Sequence, residues 1–125
     1  MMEVIALPRN RCSVLPLVLK GKWYDMIASG EKREEYRDWN IWSKRISNWL
    51  HRFNQSPGVE HLVVAFQRGY RRPSMWFEAC VSSESTLPPR RPHPEWGEPN
   101  GPHFVIALGG RIELTDSENK EAPSK

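Results

Sequence analysis

The chain has 125 residues, enough for one domain with a real core and no need of disulfides or metal. Its 18 Lys and Arg against 15 Asp and Glu give a net charge of +3, too slight a bias to mark a nucleic-acid partner. Six Trp in so polar a sequence argue against disorder, and no apolar run approaches a membrane span of ~20 residues.

Val4–Leu7 is short and followed by Arg9 and Arg11, so it does not read as a signal-peptide core. Val14–Leu19 is the first expected core strand, with Pro16 placing it at an edge or a bulge because proline cannot donate to a ladder. Lys22–Ser29 carries Trp23, Met26 and Ile27 at helical spacing, and Gly30 stands where a left-handed cap belongs. Lys32–Arg37 has no apolar face on either period. If it is extended, Glu35 and Arg37 point the same way, on a solvated edge or in the wall of a polar cleft.

Asp38 is placed to cap a helix over 39–53, whose Trp39, Trp42, Ile46, Trp49, Leu50 and Phe53 form one stripe. His61–Gln67 reads as a buried strand, Arg68–Pro73 as a turn and Ser74–Ser83 as an alternating strand. Pro88–His103 is a long proline-rich loop, a lid over a cleft or an irregular wrap. Phe104–Leu108 is the last core strand, Gly109-Gly110 a bulge or turn, and Arg111–Leu114 a continuation. Two early helices and several later strands predict one α+β domain over 1–114, small and barrel-like, followed by a disordered tail over 115–125.

Three groups can carry chemistry. Lys32, Glu35 and Arg37 can hold an anion while the carboxylate accepts from a donor, or form ordinary ion pairs on a solvated edge. Arg68, Tyr70, Arg71 and Arg72 interleave cations with a ring, as proteins do to hold unpaired nucleotides, or keep a hairpin tip soluble. On the long loop, Arg90, Arg91, His93, Trp96 and His103 stand near Glu95 and Glu98, but the histidine spacing fits no zinc pattern, and no metal or cofactor is expected. Trp76 and Trp96 are the tryptophans best placed to face a ligand. Cys12 and Cys80 form no CxxC pair and read as free thiols of a cytoplasmic protein.

Gly30-Glu31-Lys32-Arg33-Glu34-Glu35-Tyr36-Arg37 resembles the GxKxxExR signature of the ASCH domain, a branch of the PUA-like superfamily. The strand Leu17-Val18-Leu19-Lys20 and the segment Trp23–Ile27 resemble its lead-in, and Trp42 with Arg45 resembles a helix start found in a bacterial and phage subgroup. Phe66–Tyr70, Pro94–Gly97 and Phe104–Gly109 extend the likeness, which runs from about Val14 to Glu113. The resemblance implies a compact PUA-like β-barrel with flanking short helices and a cleft lined by Lys32, Glu35 and Arg37. It implies binding of RNA, single-stranded nucleic acid or a modified nucleotide, to which Arg68, Tyr70, Arg71 and Trp96 would contribute from the loops. Some relatives are amidohydrolases that deacylate N4-acylated cytidine with the signature lysine and a threonine three residues on. That position here is Glu35, which cannot serve as an acyl-accepting hydroxyl. A ribonuclease has also been proposed in the family, and Lys32 with Glu35 would be its acid–base pair.

Overall fold

A computed structural model describes residues 4–84, 94–97 and 101–116. The elements in chain order are β1 (Val4–Pro8), β2 (Cys12–Leu19), α1 (Gly21–Ala28), β3 (Glu34–Asp38), α2 (Trp39–Gln55), β4 (His61–Arg68), β5 (Pro73–Glu84) and β6 (His103–Thr115). Single 3-10 turns precede β2, at Arg9–Arg11, and β6, at Pro94–Trp96.

All six strands form one mixed sheet in the order β1-β6-β5-β4-β2, with β3 joining β6 beside β1. β1 runs parallel to β6 and β2 parallel to β4, while the other pairs are antiparallel. The architecture is α+β. Its sheet is not closed into the expected barrel, because β2 is one end of the strand path. The sequence of β2 explains the open edge. Pro16 lacks an N–H, and arginines take the outward carbonyls instead of a strand: Arg37 Nη2 donates to Val18 O (3.1 Å), Arg45 Nη2 to Pro16 O (3.4 Å) and Arg52 Nη2 to Val14 O (3.3 Å).

β2 and β4 supply the core with Leu15, Leu17, Leu19, Val64 and Phe66, and β5 with Met75 and Phe77. Against them α2 lays Ile46 and Trp49, both fully buried. Trp49 is also tied by polar bonds: its indole donates to Ser13 O (2.9 Å) and the Ser13 hydroxyl donates to Trp49 O (2.9 Å). Asp38 caps α2 as expected, accepting from the backbone of Asn40 and Ile41. α2 runs two residues past the expected 39–53, and its stripe is not uniformly core. Trp39 is exposed at its edge and stacks on Phe104, with ring centroids 4.9 Å apart.

One strand expectation changes. Val14–Leu19 belongs to the second strand, since Val4–Pro8, exposed over its first three residues, is itself a strand paired to β6. Of the two alternatives at Gly109-Gly110, the bulge is the one present. β6 runs straight through the pair, with a bulge opposite Glu78 where the β5 register shifts between Phe77 and Ala79. Thr115 ends β6 and its hydroxyl donates to Leu7 O, so the strand extends one residue past the anticipated boundary. The expectations for 85–93, 98–100 and 117–125 lie outside the described residues.

Candidate functional site

The site begins where α1 stops. Gly30, at φ 87°, takes the left-handed conformation that ends the helix, and Lys32 N–H then donates to Met26 O (2.9 Å). This bond folds the chain back beneath α1. It sets Lys32 Nζ 4.7 Å from the centre of the Trp23 ring, over whose face Lys22 also lies.

β3 follows, antiparallel to β6 with Glu35 opposite Ile106 and Arg37 opposite Phe104. The period of two puts Glu35 and Arg37 on one face, as the sequence indicated. Glu35 bridges two cations: Lys32 Nζ donates to Oε1 (2.6 Å) and Arg37 Nη2 to Oε2 (2.9 Å). Lys32 is only 2% exposed and Glu35 is buried. Burial, opposed by Glu35, lowers the Arg37 pKa from its ordinary value, and its Nε is buried without a hydrogen-bond partner. Two cations and one carboxylate leave this network with a surplus positive charge. Arg37 also stacks 4.6 Å from the Trp42 ring, whose neighbour Arg45 lies 4.3 Å away.

A cleft of about 890 Å³ opens beside Lys32. It exists because β3 and β1 share one edge of β6 without meeting. β3 pairs as far as Ala107, Leu108 N–H still donates to Arg33 O (3.0 Å), and β1 begins at Arg111, so 109–110 face a gap closed above by the end of α1. Lys32, Arg33 and Arg111 line it with Ile5, Leu108 and the Gly109-Gly110 backbone, and no acidic side chain is among its described lining residues. Lys32 contributes a sliver of surface and a fixed field. The reachable cations are Arg33 and Arg111. Among the described residues neither has a carboxylate partner; Arg111 lies only against the Phe77 ring, at 5.9 Å.

The other candidates lie elsewhere. Arg68, the last residue of β4, donates twice to Asp25 of α1, at 3.3 and 3.1 Å. The Asp25 carboxyl is held below its usual value by those hydrogen bonds. Tyr70 is fully exposed, and the Arg71 carbonyl accepts from Gln67 Nε2 (2.7 Å). Trp76 is half-buried in β5 between Ala65 and Ile112 in register. Trp96 is half-buried, and the next residue, Gly97, lies against Trp23: a side chain there would start 3.4 Å from the ring. Trp96, Arg68, Tyr70 and Arg71 are not among the residues that line the cleft beside Lys32.

Among the described residues no three His, Cys, Asp or Glu stand close enough to hold a metal ion. His103 is buried and its Nδ1–H donates to Gly101 O (2.9 Å). No helix among them is long and apolar enough to cross a membrane. Sequence reasoning missed Arg33 and Arg111. Arg33 was visible only as a variable position of the signature, and Arg111 as the second residue after two glycines. No protein-family model, curated protein or solved structure matches the chain.

Proposed function

We propose that the chain is an ASCH domain of the PUA-like superfamily, and that its cleft binds a nucleotide or a short stretch of single-stranded RNA. The single observation that carries the reading is the presence of Arg33 and Arg111, two guanidinium groups without carboxylate partners among the described residues, in a cleft with no acidic side chain among its described lining residues. Its volume of about 890 Å³ suits a nucleotide. Arginine forks match phosphate geometry, and Gly109-Gly110 lets a ligand approach the backbone. The buried Lys32–Glu35–Arg37 network supplies surplus positive charge behind the cleft. In this reading β2 and β3 are the two lips of an incompletely closed barrel, joined by Arg37 in place of a ladder. Tyr70 and Arg71 offer a ring and a cation to a strand leaving the cleft, and the free thiols Cys12 and Cys80 fit a reducing cytoplasm.

Binding of a labelled single-stranded RNA, measured as salt is raised, tests it. Each of Arg33→Ala and Arg111→Ala is expected to weaken binding and reduce the salt slope by about 0.7. Wild-type slopes in both variants rule the cleft out.

A second reading, an amidohydrolase of N4-acylcytidine type or a ribonuclease, draws on the 2.6 Å Lys32–Glu35 contact at the cleft wall. The two groups would exchange a proton with the reacting amide or ribose. Turnover of N4-acetylcytidine or shortening of the RNA by wild type, lost in Lys32→Ala, supports it. Activity equal to wild type in that variant ends it.

A further inference from the structure

The outer face of α2 has a composition that packing does not require. The helix carries Lys44, Arg45, His51 and Arg52 and not one Asp or Glu among its 17 residues. Ile46 and Trp49 take the buried side, so Lys44, Arg45, Asn48, His51 and Arg52 share the exposed one. Ordinary soluble surfaces intersperse charges of both signs. Among the described residues no carboxylate pairs with Lys44, Arg45 or Arg52.

The arginines on this face are also held in place. Arg45 and Arg52 are seven residues apart, about 10 Å along the helix axis. Each places Nη2 on a β2 carbonyl, at Pro16 and Val14, and leaves its remaining donors uncommitted. Beneath Arg45 lies the Trp42 ring, and Arg37 lies over the same ring, so two guanidinium groups share one aromatic partner. A guanidinium fixed this way loses little freedom when a phosphate or a base arrives. The row is continuous with the cleft wall: Lys32 contacts Glu35, Glu35 contacts Arg37, and Arg37 meets Trp42 below Arg45.

We propose that the outer face of α2, with the arginine-covered edge of β2, is a second nucleic-acid contact, along which the sugar-phosphate backbone of a single strand runs on from the cleft. The inference rests on the nucleic-acid reading of the cleft for the class of ligand, and on the acid-free helix face for the place. Charge complementarity names the occupant. The stacked Arg45 favours a strand with accessible bases over a plain acidic polymer.

The experiment compares a labelled mononucleotide with a labelled single-stranded RNA long enough to leave the cleft. It uses wild type, a Lys44→Glu/Asn48→Glu double variant and Asn48→Lys. Both positions are exposed, and neither lines the cleft. The double variant is expected to lose about tenfold in affinity for the RNA at low salt and nothing for the mononucleotide, while Asn48→Lys binds the RNA more tightly. RNA binding unchanged in both variants overturns the inference and leaves the cleft reading standing. Equal losses for both ligands also overturn it, because the change then acts through the cleft. If the mononucleotide binds to none of the proteins while RNA binding still follows α2, the cleft reading fails, the path from the cleft is overturned, and the α2 face alone stands as the nucleic-acid contact. Polyglutamate binding as tightly as RNA, with the same dependence on Lys44, assigns the face to an acidic protein and overturns it.

Discussion

Two clusters of the same residue types behave oppositely in this fold. At the end of α1, Lys32, Glu35 and Arg37 are withdrawn from water and bound through one carboxylate, at 2.6 and 2.9 Å. At the end of β4 and on the turn after it, Arg68, Tyr70 and Arg71 stand in solvent, and the Arg68–Asp25 pair at 3.1 Å is open to screening by water and salt. The buried group cannot rearrange, so its charge acts as a fixed field on the adjoining cleft. The exposed group is free to rearrange and fixes nothing. What separates them is desolvation, because the cost of an unpaired charge rises steeply once water is gone.

The largest expected effect therefore lies at Glu35. Glu35→Gln keeps the shape but removes the charge that holds Lys32 and Arg37 together, leaving two buried cations facing one another. Urea denaturation is expected to show a loss of about 3–5 kcal/mol, the scale of breaking one side of a buried ion pair. A loss no greater than that of an exposed charge would mean that the network is solvated, and the contrast between the two regions would vanish.

The same contrast separates the two thiols. Cys12, at the start of β2, donates to Pro8 O (3.4 Å), and its pKa is pushed up to about 11 by burial and secondarily by Glu78, with Arg9 opposing. Cys80 is exposed on β5. An aromatic disulfide reagent at mildly alkaline pH is expected to modify Cys80 first. Cys12 carries on the order of a hundredfold less thiolate than an ordinary thiol of pKa 9.0. The sign for stability follows. A folded-state pKa raised above the unfolded value contributes stability that is complete below pH 9.0 and is lost as pH rises through about 11. Cys12→Ala should flatten that alkaline decline, and comparable modification rates for the two thiols would refute the protection that partial burial gives Cys12.

These differences also mark how far the sequence could be read. The α2 stripe, the Asp38 cap, the Gly30 stop and the common phase of Glu35 and Arg37 are local patterns, governed by periods of 3.6 and two, and they are legible without a structure. The cleft is not. It arises because β6 changes partner from β3 to β1 around Gly109-Gly110, and no local signal ties Arg33 to Arg111, seventy-eight positions later. The open edge of β2 was half legible: Pro16 announced an edge, but the arginines that cover it come from β3 and α2. Trp39 and Trp42 lie on the helical stripe without being fully buried: Trp39 stacks on Phe104, and Trp42 packs at the margin of the core with Arg37 and Arg45 over its ring. Asp25 and Arg68 are 43 residues apart, so the exposed pair was equally hidden.

That exposed pair gives the smallest expected effect and the sharpest control. The Asp25 carboxyl is held below its ordinary 3.8 chiefly by the hydrogen bonds from Arg68, with burial opposing slightly. A depressed folded-state pKa contributes stability that is present above pH 3.8 and lost as pH falls through the lower folded value. Both side chains are open to water, so screening leaves little of that contribution in ordinary salt. Arg68→Ala is expected to unfold at the wild-type urea midpoint at neutral pH. Below pH 4 its acid-limb decline should be marginally shallower, and added salt should erase the difference. If Arg68→Ala instead destabilised the protein as Glu35→Gln is expected to, desolvation would not be what distinguishes the clusters. The turn would then be a structural clamp on α1, and no longer a surface free to meet a ligand.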